Sequence, residues 1–126
     1  MTPEAACFLL AARECLLKAH EMLDQWPDEA GRAAYVAALQ AARGLIFERT
    51  GAVVTRHAAV QAQFGRLVAQ DPNGGAGACL FLGRAYNFRF VAEEEAGPGG
   101  LAPDRAAAAV EEAERTVAYV TTLLAA

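Results

Sequence analysis

The chain has 126 residues, 55% of them hydrophobic and 21% charged, with a formal net charge of −4. That balance suits one folded domain and excludes an intrinsically disordered chain. No apolar run approaches the roughly 18 residues that cross a bilayer, and the overall acidity argues against indiscriminate coating of nucleic acid.

The charge is unevenly spread. Residues 1–31 set six acids against Arg13 and Lys18, and residues 90–126 set seven acids against Arg105 and Arg115. Residues 32–89 set seven arginines against Glu48 and Asp71. The basic middle is the part suited to a phosphate or an acidic partner. Three cysteines, Cys7, Cys15 and Cys79, cannot all pair within one chain, and none shows a Cys-x-x-Cys spacing; buried small hydrophobes in a reducing compartment are the expectation. Glu4 precedes the first apolar run without a basic region, so no secretory leader is expected and a cytoplasmic location is.

The first helix is expected from Pro3 to about Gln25, with Thr2 as its N-cap and Pro3 at the first helical position, where a missing N–H costs nothing. Phe8, Ala12, Cys15, Ala19, Met22 and Trp26 form its apolar stripe, widened by Leu9, Leu16 and Leu23. His20 lies at the stripe's edge and reads as a surface or half-buried histidine, because no second metal ligand stands at helical spacing. Trp26-Pro27-Asp28 is a turn, and a second helix runs to Thr50. Ala34, Ala37, Ala41 and Leu45 recur on one row, and Tyr35, Leu39, Ala42 and Ile46 on the next. A face so rich in alanine lets a neighbour approach closely, so this helix is expected at the centre. Gly51 ends it in the left-handed conformation.

After the connector, Thr55 can cap a third helix from about Arg56 to Gln70, whose buried stripe is Val60, Phe64 and Leu67. Asp71-Pro72-Asn73-Gly74-Gly75-Ala76-Gly77 reads as a flexible surface loop without a phosphate-binding fingerprint. The fourth helix is expected from Ala78 to Ala96, with Phe81, Arg84, Ala85, Phe88, Val91 and Ala92 on one face. Arg84 stands out there as a charge among apolar residues; a buried guanidinium needs acceptors, and Glu94 or Glu95 could supply them. A fifth helix begins near Ala102-Pro103-Asp104 and buries Ala106, Val110, Ala113, Val117, Val120 and Leu124. The large core side chains are expected to include Phe8, Leu16, Leu23, Trp26, Leu45, Phe47, Phe64, Phe81, Leu82, Phe88 and Leu124. No strand pattern or internal repeat occurs. The fold class is therefore all-α: a single domain over residues 1–126 forming an antiparallel up-and-down bundle of about five helices.

The Tyr-x-Ala-Ala-x-x-Ala-Ala-Arg run from Tyr35 to Arg43, the glycine-ended helix at Gly51, the Thr55-Arg56-His57 step and Arg84-Ala85-Tyr86-Asn87 together resemble the HEPN domain, a small helical domain linked to nucleotide binding. The likeness spans nearly the whole chain. It implies a helical bundle, a homodimer, and membership of a toxin–antitoxin-like module with a minimal nucleotidyltransferase. HEPN ribonucleases carry an arginine followed four to six residues later by a histidine. Here Arg84 is followed by Arg89, Phe90 and Val91, and the histidine that would move a proton is missing.

The resemblance therefore implies a binding protein rather than a nuclease, with nucleotide, RNA or the nucleotidyltransferase meeting a basic groove around Arg84, Arg89 and His57, with Asn87 and Arg56 nearby. Two other readings stand beside it. One is a metal-independent ribonuclease in which Arg84 holds the scissile phosphate and His57 is the base. The other is a structural homodimer built on the alanine-rich faces. His57 otherwise reads as a capping or core-edge histidine, and Arg56 as solvated. No metal and no cofactor is expected, and nothing forms a Ser-His-Asp, Cys-His or paired-carboxylate arrangement.

Overall fold

A computed structural model describes residues 1–85 and 102–125. Five helices account for most of them: α1 (Pro3–Met22), α2 (Pro27–Thr50), α3 (His57–Val68), α4 (Gly75–Ala85) and α5 (Pro103–Ala125). There is no strand among the described residues. The all-α expectation holds, and so does the central position of the second helix: α2 packs against each of the other four.

Local chemistry sets the ends. Thr2 caps α1, its Oγ1 accepting from the Ala5 N–H at 3.2 Å, with Pro3 opening the helix. The Thr2 N–H donates to Glu48 Oε1 at 2.7 Å, and its hydroxyl donates to the same oxygen at 3.0 Å. The start of α1 therefore lies beside the end of α2, and the two run antiparallel. These bonds, the Thr2 N–H first, hold the Glu48 carboxyl below its ordinary pKa. Gly51 closes α2 at φ 75°, and its N–H donates to the Phe47 carbonyl at 2.8 Å.

Alanine controls the packing. Ala30, Ala34, Ala37, Ala38, Ala41 and Ala42 of α2 are all essentially buried, and so are Ala5, Ala12 and Ala19 of α1. Where these helices meet, a Cβ on Gly44 would stand 3.0 Å from Phe8 Cβ. The largest fully buried side chains are Phe64, Leu45, Ile46, Leu82, Val60, Val110 and Val120. The α5 stripe from Ala106 to Leu124 is buried as its spacing predicts.

Several sequence expectations are corrected. α1 stops at Met22, three residues early, and Trp26 is 57% exposed instead of buried. Trp26 serves as the non-helical residue before Pro27, and its backbone rather than its ring does the work: its N–H donates to Met22 O at 2.8 Å. Phe8, Leu16, Leu23 and Phe47 are half-buried, and Phe88 lies outside the described residues. In α3 the cap position falls to Arg56 without a side-chain bond, so Thr55 does not cap it. Val68, not Leu67, completes the buried α3 stripe. Cys7 is exposed, whereas Cys15 and Cys79 are half-buried and burial pushes their thiols up.

The largest difference is in the glycine-rich stretch. α4 already begins at Gly75, inside the expected loop. Asp71 organises the turn: its carboxylate accepts from the Asn73 N–H at 3.0 Å and from the Tyr119 hydroxyl of α5 at 2.5 Å. Gly74 takes φ 126°, open to glycine without a Cβ clash. The far end expected for α4, including Glu94 and Glu95, lies outside the described residues.

Candidate functional site

Arg32, Tyr35, Val36 and Leu39 follow one another at helical spacing on the first half of α2. They form one wall of a cleft of about 760 Å³ whose other wall is Thr55, Arg56, His57 and Ala58. The second wall is in place because Gly51 turns the chain and because Arg43 fastens the connector. Arg43 Nε donates to the Val54 carbonyl at 2.7 Å, Nη1 donates to Gln40 Oε1 at 3.0 Å, and the guanidinium sits 4.7 Å over the Phe8 ring. Arg43 is thus engaged structurally, although it belongs to the basic middle of the sequence.

Within the cleft the Tyr35 hydroxyl and His57 Nδ1 are 3.0 Å apart. Their ring centroids are 5.5 Å apart with planes tilted by 43°. Where the phenol donates to Nδ1, the neutral imidazole carries its proton on Nε2. Tyr35 is only 4% exposed, so the phenol is a fixed post rather than a surface rotor. Arg32 pairs with Glu29 one turn earlier on α2. Arg56 is exposed at the N-terminal end of α3, where the helix dipole adds positive potential. The cleft therefore offers two guanidiniums, an oriented imidazole and an apolar floor of Val36 and Leu39.

His57 and Arg56 thus share a cleft. Arg84 does not join them. It lines a second, smaller cleft of about 200 Å³ with Gly77, Phe81, Glu112, Arg115 and Thr116. Nor is Arg84 buried on an apolar face: its side chain is 66% exposed, and Nη2 lies 3.9 Å from Glu112 Oε1 of α5. The reason is register. Phe81, Leu82 and Ala85 turn inward on α4 and leave position 84 facing water. Asn87 and Arg89 lie outside the described residues. His20 is exposed and pairs with Glu114 of α5, as a surface histidine. Among the described residues, no group of three or more His, Cys, Asp and Glu side chains could hold a metal, and no helix is long and apolar enough to cross a membrane.

Sequence reasoning missed Arg32 and the role of Tyr35. Tyr35 stands on an apolar row of α2, and its ring is buried in the core. The available signal was a hydroxyl-bearing aromatic in a row otherwise made of alanine and aliphatic residues; buried phenols need a partner. Comparison with protein-family models and with curated proteins finds no match to this chain.

Proposed function

We propose that this chain is a HEPN-like binding domain that takes a phosphate-bearing ligand, a nucleotide or RNA, in the cleft between α2 and the start of α3. The observation that carries the reading is the His57 imidazole, oriented by Tyr35 at 3.0 Å in a cleft that Arg32 and Arg56 also line. Guanidiniums match phosphate oxygens in a bidentate manner, and the half-buried His57 ring beside Val36 and Leu39 suits a base or ribose. The wider sequence resemblance supports a homodimer and a minimal nucleotidyltransferase partner in a toxin–antitoxin-like module. Co-purification of such an enzyme with the tagged chain from its native host is the expected outcome for that part.

The test of the cleft is fluorescence anisotropy with a labelled single-stranded oligoribonucleotide and, separately, titration with ATP. Arg56→Glu is expected to weaken binding at least about tenfold, with salt sensitivity reduced. Arg84→Glu is expected to change it much less, because Arg84 lines the other cleft. Equal binding by wild type and Arg56→Glu overturns the proposal.

A second reading, a metal-independent ribonuclease, draws on the same imidazole beside cationic groups: in the tautomer whose Nδ1–H donates to the Tyr35 oxygen, His57 Nε2 is the general base, with Arg56 in place of Arg84 near the phosphate. Purified protein that leaves RNA intact at neutral pH rejects it without touching the binding reading.

A further inference from the structure

The turn between α1 and α2 holds the chain's one tryptophan out to solvent. Trp26 is 57% exposed, yet its backbone is pinned. Its N–H donates to the Met22 carbonyl at 2.8 Å, its carbonyl accepts from the Ala30 N–H at 2.9 Å, and Pro27 follows with its fixed φ. With Gln25, Pro27, Asp28 and Glu29 it lines a concave pocket of about 230 Å³. So exposed a ring contributes little to the bundle. A large aromatic on a fixed backbone beside a concavity is the kind of anchor that recognition of a partner uses, because little freedom is lost on binding.

The charge around the turn indicates what the anchor meets. Residues 21–29 carry Glu21, Asp24, Asp28 and Glu29 and no lysine or arginine. Glu21, Asp24 and Glu29 are exposed, and Asp28 is half-buried. Of the basic groups that border the turn, Arg32 is paired with Glu29 and His20 with Glu114. The C-terminal end of α1 meets the N-terminal end of α2 here, so their dipoles offset and the side chains set the sign of the potential. The face of an indole attracts a guanidinium or ammonium, and carboxylates accept its N–H bonds. We infer that this turn docks a basic segment of another protein, with an arginine or lysine side chain over the Trp26 ring and its charge toward the Asp28 and Glu29 carboxylates. A small free cation would fill the pocket without using Glu21 and Asp24, which lie outside its lining; a segment with several basic residues engages them too. An acidic surface repels phosphate, so this turn and the α2–α3 cleft serve different chemistry, and the inference does not rest on the binding reading.

The test is titration of the full chain with an amidated hexa-arginine peptide, with circular dichroism confirming the fold of each variant. Trp26 is the only tryptophan, so its emission reports occupancy of this turn directly. Wild type is expected to show a saturable change in emission that weakens as salt rises. By calorimetry, Trp26→Ala is expected to weaken binding about fivefold, and Asp28→Asn/Glu29→Gln at least about tenfold. Glu4→Gln/Glu14→Gln removes the same charge elsewhere on α1 and is expected to change binding less than about twofold. Free arginine amide is expected to bind at least about tenfold more weakly than the peptide. No change in emission, Trp26→Ala binding as wild type, or equal losses from the two double variants overturns the inference. Arginine amide binding as tightly as the peptide overturns the assignment to a protein segment.

Discussion

Replacing Gly75 by alanine puts a methyl carbon 1.6 Å from the Val68 carbonyl oxygen and 2.7 Å from its carbonyl carbon. Both are backbone atoms at the end of α3, so no side chain can rotate away. Reaching ordinary contact at 3.4 Å requires the two segments to part by 1.8 Å, the difference between the two distances. That movement strains the turn bonds from the Asp71 N–H to Val68 O (2.9 Å) and from the Gly75 N–H to Asp71 O (3.2 Å). Overpacking costs about 1–3 kcal/mol and each weakened bond about 1 kcal/mol, so the loss is about 3–5 kcal/mol. For a domain of this size that lowers Tm by about 10–20 °C.

Gly77, two residues on, is the control. A Cβ there meets nothing within 4 Å, and the residue lies in α4. Gly77→Ala should therefore stabilise the fold by about 0.5–1 kcal/mol through helix propensity. Urea and thermal unfolding followed by far-ultraviolet circular dichroism give both values. Two near-neutral substitutions would mean that residues 71–77 are the flexible loop that composition suggests, and would refute the packed turn.

Thr2→Ala removes the α1 N-cap and one hydroxyl bond to Glu48; urea unfolding should register a loss of about 1–2 kcal/mol. The Asp71 carboxyl is held below its ordinary 3.8 by the Tyr119 hydroxyl first and the Asn73 N–H second. Its contribution is present above that ordinary value and is lost as pH falls through the lower folded value. Tyr119→Phe should flatten this acid limb in urea midpoints taken across the acid range; an unchanged limb would contradict the assignment. The Tyr119 phenol is itself pushed up, by burial and then by its bond to Asp71, so its contribution is full below its ordinary 10.0 and fades as pH rises through the folded value. Phe64→Ala, at a side chain 1% exposed, should cost about 3–5 kcal/mol. Trp26→Ala, at a ring 57% exposed, should stay within about 0.5 kcal/mol in the same unfolding assay.

The helices themselves were legible because their signals are local. Thr2-Pro3 and Gly51 work through bonds within a few residues, and the stripe from Ala106 to Leu124 needs one apolar layer beneath it. Alanine density marked α2 as central for a related reason: small side chains on adjoining rows suit close neighbours on several sides. Periodicity could not decide which neighbouring row wins at a helix edge. Leu67 and Val68 are one residue apart, and so are Arg84 and Ala85. A small rotation buried Val68 in place of Leu67 and turned Arg84 to water, while Ala85 of the expected face stayed buried.

The amino-acid sequence by itself determined an all-α chain, the ends of its central helix and a basic middle bounded by acidic flanks. Tertiary structure alone divided that middle, fastening Arg43 to the connector, setting Arg56 with His57 in one cleft and leaving Arg84 in another. It alone joined Tyr35 to His57 across 22 positions and Asp71 to Tyr119 across 48. Pattern and capping act over one or two helical turns, whereas the partner of a hydroxyl or a carboxylate depends on how separate helices are rotated against one another.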